Sequence, residues 1–342
     1  MPRGGDMKPK VYITREVPSP GIELIREHCD VVLHEREEPP DHIEIVRNIQ
    51  DKDALLCFVT DRIDKDVISA GAVLKVISTY SVGFEHIDVV EATKRGIYIG
   101  YTPGVLTEAT ADCTFALLLN AARRTAEADR FVRRFDWTIS WSPTMFLGES
   151  VWESTIGIIG LGKIGRAVAK RAKGFNMKIL YNDVTRLSPQ EEKELDIKFR
   201  SFDALLRESD FVSVHVPFTK ETHHLMDEKN LRLMKPSAIL INTSRGPTVD
   251  GAALVKALKE KWIAGAGLDV YEKEPIEKDN PLLQLDNVVL LPHIGSATRE
   301  ARAKMAELAA FNLLAVLRGE PPPHWLNPEV ENIRPLSEVK ML

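Results

Sequence analysis

Cysteine is scarce in this sequence, and long apolar runs are missing. The three cysteines, Cys29, Cys57 and Cys113, lie far apart, and no CxxC pair occurs. This pattern excludes a disulfide scaffold and a cysteine-ligated zinc site, and it favours a reducing cytoplasm. No stretch approaches the roughly 18 apolar residues of a transmembrane helix, and the polar segment Met1–Pro9 lacks the apolar core of a signal peptide. We therefore expect a cytoplasmic protein that does not bind membranes.

An excess of positive charge is also missing. The chain has 45 Lys and Arg against 50 Asp and Glu, which gives a formal net charge of −5. A mildly acidic chain lacks the electrostatic footprint that binds nucleic acid or an anionic membrane. Apolar residues make up 44% and charged residues 28% of the sequence, a composition typical of soluble globular proteins. At roughly 150 residues per domain, the length of 342 residues predicts two domains.

Short β-branched segments alternate with helical segments along most of the chain. This alternation predicts parallel sheets with helices on both faces, that is, doubly wound α/β domains. In the first block the predicted strands are Val11–Thr14, Val31–His34, Ala54–Val59, Val76–Ser78 and Tyr98–Gly100. In the second block they are Thr155–Gly160, Lys178–Asp183, Phe211–Val216, Ala238–Asn242, Gly265–Val270 and Val288–Leu291.

Two long helices flank the second block. One is predicted at Thr107–Phe135, and the other at Ala297–Arg318 with Ser296 as its N-cap. The last helix follows the final strand of the second block and has no packing partner there. We therefore predict that a domain of residues 105–295 is inserted into a domain of residues 1–104 and 296–342.

Glycines recur after the strand Thr155–Gly160 at the spacing of a dinucleotide-binding loop. Gly160-x-Gly162-x-x-Gly165 opens a helix, and Asp183 ends the next strand 18 positions after the third glycine. In this context the glycines allow a tight turn, and a pyrophosphate lies on the N–H groups of the helix N-terminus. Asp183 can accept both ribose hydroxyls. The alternative is a plain strand–helix turn with glycines by chance.

Three segments each end a predicted strand of the second block, namely Ile241–Gly246, Gly267–Pro275 and Leu291–Ser296. Since ligands bind beyond the carboxyl ends of the strands in such sheets, we expect Arg245, Glu274 and His293 to converge on one cleft. An arginine can hold a carboxylate bidentately, a histidine exchanges protons near neutral pH, and a carboxylate beside it favours the protonated imidazole. Considered one at a time, Arg245 also fits a surface cation, Glu274 a solvated turn residue and His293 a residue at the start of a helix.

Together these segments resemble the D-isomer-specific 2-hydroxyacid dehydrogenases, and the resemblance extends from Lys10 to about Pro328. The shared motifs are Gly-Leu-Gly-Lys-Ile-Gly, Asn-Thr-Ser-Arg-Gly, Gly-Leu-Asp-Val-Tyr-Glu-Lys-Glu-Pro and Pro-His-Ile-Gly-Ser-Ala. Within the family the chain looks most like the glyoxylate/hydroxypyruvate reductases, through the segments Ser81–Asp88 and Thr102–Thr107 and the Trp141-x-Pro143 element.

The resemblance implies a role for each matching residue. Arg245 grips the substrate carboxylate and keto oxygen, His293 is the acid/base and Glu274 is its partner. Val82 and Gly83 offer backbone N–H groups to the carboxylate. The residues assigned to the cofactor are Gly160, Gly162, Lys163, Ile164, Gly165, Asp183, His215, Pro217, Thr243, Ser244, Asp269, His293 and Gly295. For His215 and Pro217, a plain strand end remains the alternative.

The implied activity is the NAD(P)H-dependent reduction of small 2-oxo acids, glyoxylate to glycolate and hydroxypyruvate to D-glycerate. We expect NAD(H) to be preferred, because Asp183 would repel a 2′-phosphate. NADP(H) is the alternative, because Arg186 lies three residues further on and can pair with a phosphate. No metal is expected, since the adjacent His223 and His224 point in different directions and have no third ligand within reach.

The resemblance implies a homodimer, and it places Trp141 near a neighbouring subunit's substrate pocket. We expect Trp137–Leu147 to reach across the interface, although Trp137 and Trp141 also fit core positions. Two tryptophans and Phe146 in an irregular stretch are poor surface residues unless another chain covers them. Two other functions stay open. One is a non-catalytic NAD(H)-sensing dimer that binds protein partners, and the other is a different D-2-hydroxyacid dehydrogenase such as D-3-phosphoglycerate dehydrogenase.

Overall fold

The fold divides into two compact units. The structure is a computed structural model that describes residues 8–342. The first unit consists of residues 8–106 and 298–342, and the second of residues 107–297. The chain therefore leaves the first unit once, completes the second and returns. Within residues 8–342, none of the helices combines the length and the apolar character that crossing a membrane requires.

The first unit contains a five-stranded parallel sheet. Its strands are β1 (Lys10–Ile13), β2 (Asp30–Leu33), β3 (Ala54–Cys57), β4 (Val76–Thr79) and β5 (Tyr98–Gly100), in the order β2-β1-β3-β4-β5. Its helices, numbered along the whole chain, are α1 (Gly21–His28), α2 (His42–Ile49), α3 (Lys65–Ala70), α4 (Val89–Lys94), α12 (Arg299–Leu317) and α13 (Leu336–Val339). Strands β3 and β4 are buried at every position, which explains the apolar sequence of β3, whereas β4 also buries the hydroxyls of Ser78 and Thr79.

The long helix α12 completes the core of the first unit. It packs so closely on α1 that a Cβ at Gly21 would lie 2.6 Å from the backbone of Ala306. The hydroxyl of Ser78 in β4 donates a hydrogen bond of 2.8 Å to the carbonyl of Ala309. The returning segment is therefore an integral part of this unit, and its small residues allow the close approach.

The second unit contains a seven-stranded parallel sheet. Its strands are β6 (Thr155–Ile159), β7 (Lys178–Asn182), β8 (Lys198–Phe199), β9 (Phe211–Val214), β10 (Ile239–Asn242), β11 (Gly265–Leu268) and β12 (Val288–Leu290). Its helices are α5 (Thr107–Arg123), α6 (Thr125–Arg133), α7 (Lys163–Lys173), α8 (Pro189–Leu195), α9 (Phe202–Glu208), α10 (Glu228–Leu231) and α11 (Gly251–Lys259). The strand order is β12-β11-β10-β9-β6-β7-β8, so the order reverses between β6 and β9, where sheets of this kind bind nucleotides.

Both sheets are parallel throughout, and the predicted class of two parallel-sheet α/β domains is confirmed. The predicted single helix at Thr107–Phe135, however, is wrong. The segment forms α5 and α6, and Arg124 between them has a left-handed backbone with φ of 54°. The side-chain oxygen of Asn120 accepts a hydrogen bond of 2.8 Å from the N–H of Ala126. It thereby satisfies one of the N–H groups that the break exposes.

The predicted N-cap of the last helix, Ser296, is also wrong. Helix α12 begins two residues later than expected, with Thr298 as its N-cap, whose hydroxyl accepts from the N–H of Ala301 at 3.1 Å. The N–H of Ala297 donates to the carbonyl of Ile294 at 2.8 Å. The chain at Ser296 is therefore part of a turn that precedes the helix.

Candidate active site

The glycine-rich loop joins β6 to α7 beside the reversal of strand order. Gly160 has a φ of +91°, and a Cβ there would lie 2.8 Å from the backbone of His215. A Cβ at Gly165 would lie 2.2 Å from the carbonyl oxygen of Gly160, so α7 packs directly on the loop. At Gly162, by contrast, a Cβ would meet none of the described atoms beyond its chain neighbours within 4 Å. This open space, next to the first N–H groups of α7, fits a pyrophosphate.

Asp183 follows β7 and contacts the glycine-rich loop. Its Oδ2 accepts a hydrogen bond of 2.6 Å from the N–H of Leu161, and its Oδ1 accepts one of 3.2 Å from the N–H of Thr185. Lys163 and Ile164 are the first two helical residues after the loop. The structure thus brings the strand-end carboxylate to the loop that carries the glycines.

Arg245 lies in a turn after β10 that the side chain of Asn242 holds. Asn242 accepts from the N–H of Ser244 and donates to the carbonyl of Arg245, both at 3.0 Å. A Cβ at Gly246 would lie 1.8 Å from the carbonyl oxygen of Tyr271. The turn of the arginine is therefore in direct backbone contact with the loop that follows β11.

Asp269 connects the end of β11 with the loop of His293. It is 1% exposed, and its two carboxylate oxygens accept from the N–H groups of Ile294 and Gly295, both at 2.7 Å. Its carbonyl accepts from the N–H of His293 at 2.9 Å. Burial raises the pKa of Asp269 above its ordinary value, although the two N–H groups oppose this rise. Asp269 thereby fixes a loop in which His293 has a left-handed φ of 55°.

The imidazole of His293 and the carboxylate of Glu274 are hydrogen-bonded to each other. Nδ1 lies 2.6 Å from Oε2, and the other carboxylate oxygen accepts from the N–H of Tyr271 at 3.0 Å. Burial raises the pKa of Glu274, but the hydrogen bond and charge of His293, the Tyr271 N–H and the charge of Arg245 outweigh it, so the pKa lies below its ordinary value. Glu274 is therefore ionised near neutral pH, and its negative charge lies against Nδ1 of His293. Nε2 of His293 remains for a ligand.

The three side chains come together because β10, β11 and β12 end at the same edge of the sheet. Asn242 at the end of β10 is in register with Leu268 of β11, which is in register with Leu290 of β12. The loops after these strands carry a guanidinium, a carboxylate and an imidazole. An arginine beside an acid/base pair can bind a small carboxylate and move a proton.

Other residues predicted to contact the cofactor lie at the ends of the neighbouring strands. His215 follows β9, and its Nε2 is 2.8 Å from the hydroxyl of Ser213. Desolvation of the ring lowers the pKa of His215 to about 4, so it is neutral at physiological pH. The hydroxyl of Thr243 is 2.8 Å from that of Thr114 in α5. Pro217 is exposed at the start of the next loop.

In the first unit, Val82 and Gly83 lie in a loop after β4 that a chain of hydrogen bonds holds. The hydroxyl of Ser81 donates to the carbonyl of Gly83 at 2.6 Å. Because its proton is used there, Ser81 accepts from the hydroxyl of Thr79 at 2.7 Å, and Thr79 accepts from Nε2 of His86 at 3.1 Å. No described group accepts a hydrogen bond from the backbone N–H of Val82 or Gly83.

The segment between α6 and β6 is irregular and exposes apolar side chains. Trp137 is 53% exposed and Trp141 is 73% exposed. Phe146 instead packs within its own unit, with its ring centroid 5.2 Å from that of Phe131. Phe146 is thus partly covered within its own unit, whereas the two tryptophans leave apolar surface open.

The adjacent residues His223 and His224 contact each other, and His224 also contacts a carboxylate. Their rings stack with centroids 4.0 Å apart, so the expectation that His223 and His224 point in different directions is wrong. Nε2 of His224 lies 2.5 Å from a carboxylate oxygen of Glu272. The residues from 8 to 342 contain no group of three or more His, Cys, Asp or Glu that could hold a metal ion.

Comparison with known proteins defines the class of this protein. The family model described as D-isomer specific 2-hydroxyacid dehydrogenase, NAD binding domain, matches residues 115–295. The chain belongs to the D-isomer-specific 2-hydroxyacid dehydrogenase family, and the resemblance stated from the sequence motifs is confirmed. It is an NAD(P)-dependent 2-hydroxyacid dehydrogenase, that is, an enzyme that reduces 2-oxo acids with a nicotinamide cofactor.

Individual relatives are similar over nearly the whole chain. The glyoxylate reductase of Thermofilum pendens is 56% identical over 336 residues, which cover 98% of this chain and 99% of that one. The glyoxylate reductase of Korarchaeum cryptofilum is 55% identical and covers 96% and 99% of the two chains. The solved structure of the NADPH-dependent glyoxylate/hydroxypyruvate reductase of Sinorhizobium meliloti, in complex with NADP and malonate, is 31% identical, with a TM-score of 0.82 over 93% and 97% of the chains. A Thermus thermophilus structure reaches a TM-score of 0.88 at 44% identity, over 93% and 99%.

Proposed function

We propose that the enzyme reduces glyoxylate to glycolate and hydroxypyruvate to D-glycerate, with NAD(H) preferred over NADP(H). The observation that carries the proposal is the hydrogen bond between His293 and Glu274, with 2.6 Å between Nδ1 and Oε2, at the sheet edge that also carries Arg245. The relatives at 52–56% identity are glyoxylate reductases, which supports glyoxylate as the substrate. The Sinorhizobium meliloti relative supports hydroxypyruvate.

Each residue of the site has a distinct task in this reaction. His293 donates a proton to the keto oxygen through Nε2, because its Nδ1 is engaged by Glu274. Glu274 orients the ring and stabilises the imidazolium before the transfer. Arg245 holds the substrate carboxylate with its planar fork of donors and polarises the keto oxygen. When bound, the reduced nicotinamide supplies the hydride that reaches the keto carbon.

We assign two further groups to the substrate from the family resemblance. The backbone N–H groups of Val82 and Gly83 bind the substrate carboxylate, and the hydrogen-bonded chain from His86 to Ser81 keeps their loop in one conformation. Trp141 borders the substrate pocket of a second subunit. The hydrogen-bonded loop with its N–H groups supports the first of these assignments.

The residues of the second unit fit a dinucleotide. The loop Gly160–Gly165 and the first N–H groups of α7, including those of Lys163 and Ile164, would hold the pyrophosphate. Asp183 would accept the ribose hydroxyls. The remaining contacts would come from His215 and Pro217 on the adenosine side and from Thr243, Ser244, Asp269 and Gly295 at the ends of β10, β11 and β12.

Asp183 is the basis of the proposed preference for NAD(H). A carboxylate ~4 Å from a 2′-phosphate charge repels it by about 1 kcal/mol in water and by about 4 kcal/mol at an effective dielectric of 20. At 1.4 kcal/mol per tenfold, this corresponds to discrimination of roughly fivefold to several hundredfold. The same carboxylate gains hydrogen bonds from the free hydroxyls of NAD(H).

We further propose a cytoplasmic homodimer in which Trp137–Leu147 contacts the second subunit. The exposed Trp137 and Trp141 support this, because apolar side chains of this size are normally covered. Sedimentation velocity at micromolar concentration should give a single species of twice the chain mass. A monomer would contradict the proposal.

Substrate kinetics test the proposed function. Glyoxylate, hydroxypyruvate and 3-phosphohydroxypyruvate are each mixed with the enzyme and NADH, and the absorbance of the reduced nicotinamide is followed. We expect turnover with the first two and a loss of about 10²–10⁴-fold in His293→Ala, the usual cost of removing a positioned acid. Fastest turnover of the phosphorylated substrate would indicate a phosphoglycerate dehydrogenase. Binding of NADH without turnover of any 2-oxo acid would indicate a sensing protein.

A further inference from the structure

The loop between β7 and α8 carries one arginine, Arg186, and this arginine is already paired. Its Nε donates to Oε1 of Glu192 at 2.8 Å, and its Nη2 lies 3.3 Å from Oε2 of the same carboxylate. The guanidinium also lies over the ring of Phe199, with 5.1 Å between Cζ and the ring centroid. The two donors used for Glu192 belong to the fork that an arginine presents to a phosphate.

Glu192 is held in place from the opposite side as well. Its side chain is 15% exposed, against 58% for Arg186. The buried Tyr181 donates its hydroxyl to Oε1 of Glu192 at 2.9 Å and accepts from the N–H of Leu187 at 2.9 Å. The hydrogen bond from Arg186 lowers the pKa of Glu192, so the carboxylate is charged at neutral pH. The partner of the arginine is therefore a fixed, charged group rather than a mobile surface residue.

Asp183, three residues before Arg186, is bound to the glycine-rich loop through the N–H of Leu161. Asp183 at the strand end thus presents its carboxylate to the proposed cofactor site, whereas Arg186 in the same loop is bound to Glu192 of α8. The carboxylate that would accept a 2′-hydroxyl and the cation that would bind a 2′-phosphate therefore have different partners, Leu161 for Asp183 and Glu192 for Arg186.

We propose that Glu192 is a positioning residue that sets the cofactor preference: it binds Arg186 and so withholds this cation from the 2′-phosphate of NADP(H). The inference rests on the proposed cofactor site, in which Asp183 accepts the ribose hydroxyls. It assigns part of the preference to a side chain in α8 that acts only through the arginine.

Direct binding of nucleotides tests the inference independently of catalysis. Dissociation constants are measured by calorimetry for NADP⁺, NAD⁺, 2′,5′-ADP and 5′-ADP. The variant Glu192→Gln keeps the size of the side chain and an oxygen for Tyr181, but it removes the charge that binds Arg186. Glu194→Gln is the matched control, because it removes one negative charge from the same helix and contacts Gln190 instead of Arg186.

We expect Glu192→Gln to bind NADP⁺ and 2′,5′-ADP about fivefold more tightly, which is about 1 kcal/mol at 1.4 kcal/mol per tenfold. NAD⁺ and 5′-ADP should change by less than about twofold on the same scale. The ratio of kcat/KM for NADPH over NADH should rise by the same factor, and the gain should shrink at high salt because the new contact is ionic.

Two further variants separate the effect of Arg186 on NADP⁺ binding from the effect of losing a negative charge. Arg186→Gln alone should leave NADP⁺ binding unchanged, because the arginine is already occupied, and Arg186→Gln/Glu192→Gln should lose the gain. The inference is overturned by unchanged NADP⁺ affinity in Glu192→Gln, by an equal gain in Glu194→Gln, or by weaker NADP⁺ binding in Arg186→Gln alone. An enzyme that binds both dinucleotides as expected but reduces no 2-oxo acid would contradict the proposed function and leave this inference standing.

Discussion

Replacement of Glu274 by glutamine tests the interaction between His293 and Glu274 on which the proposed proton transfer depends. Glutamine keeps the length of the side chain and an oxygen near Nδ1 of His293, but it removes the negative charge. In the reducing direction His293 must be protonated before the transfer, so kcat/KM falls as the pH rises. Without the carboxylate the imidazolium loses stabilisation, and the fall should therefore occur at a lower pH in Glu274→Gln.

The size of the effect on kcat/KM follows from the geometry of the pair. A hydrogen bond to a charged group contributes about 1.5–3 kcal/mol. The side chains of His293 and Glu274 are 37% and 29% exposed, so water screens the pair and the lower end of this range applies. At 1.4 kcal/mol per tenfold, losing about 1.5 kcal/mol should lower kcat/KM for glyoxylate at neutral pH about tenfold.

The assay is the pH dependence of kcat/KM for glyoxylate with saturating NADH. Glu277→Gln is the control, because Glu277 lies on the same loop and pairs with Lys273 on the exposed surface. Its profile should coincide with that of the wild type. If the alkaline limb of Glu274→Gln also coincides with that of the wild type, Glu274 does not stabilise the proton donor and the assignment of this pair is refuted.

Three further predictions concern the carboxylate clamp, the glycine-rich loop and the loop after β4. Arg245→Lys should lower kcat/KM for glyoxylate about 10- to 100-fold, because a point charge replaces a bidentate fork worth about 1.5–3 kcal/mol; a wild-type value in steady-state kinetics would remove Arg245 from the site. Gly162→Ala should leave the Tm unchanged and weaken NADH binding in fluorescence titrations. Gly165→Ala would place a Cβ 2.2 Å from the carbonyl oxygen of Gly160, and the overpacking of about 1–3 kcal/mol should lower the Tm. The reverse result would contradict the loop geometry. Thr79→Val should raise the KM for glyoxylate roughly fivefold, because it loses one hydrogen bond worth about 1 kcal/mol. The kcat and the KM for NADH should stay unchanged, and Thr79→Ser should recover the KM for glyoxylate. An unchanged KM for glyoxylate in Thr79→Val would show that the hydrogen-bond chain does not position this loop.

Most strands were predictable because buried parallel strands are rich in apolar and β-branched residues, but the two-residue strand β8 at Lys198–Phe199 was not predicted. Strands β3, β4, β9 and β10 are buried at every position, and each lies within a predicted segment or within one residue of it. The candidate site was predictable for a related reason. In a parallel sheet the strand ends share one edge, so Arg245, Glu274 and His293 could be expected together from their distance to predicted strand ends.

The helix break at Arg124 was not predictable from periodicity. Neither glycine nor proline marks it, and the left-handed arginine is tolerated because the side chain of Asn120 binds the exposed N–H of Ala126. The same limit applies to the side chains that hold the site. Asn242 was visible within the Asn-Thr-Ser-Arg-Gly motif, but its hydrogen bonds to the arginine turn depend on a turn conformation that spacing alone does not define.

The position of α12 has a consequence for the order in which the protein folds during synthesis. Residues 107–297 form a continuous unit, so every part of its sheet has been translated before α12 has. The first unit begins earlier in the chain, yet β4 and the small-residue face of α1 at Gly21 lack their covering helix until the residues around Ala309 are made. Domains fold as units while the chain emerges, and uncovered apolar faces promote misassembly in the interval. The unit whose translation starts first should therefore be the one that completes its folding last.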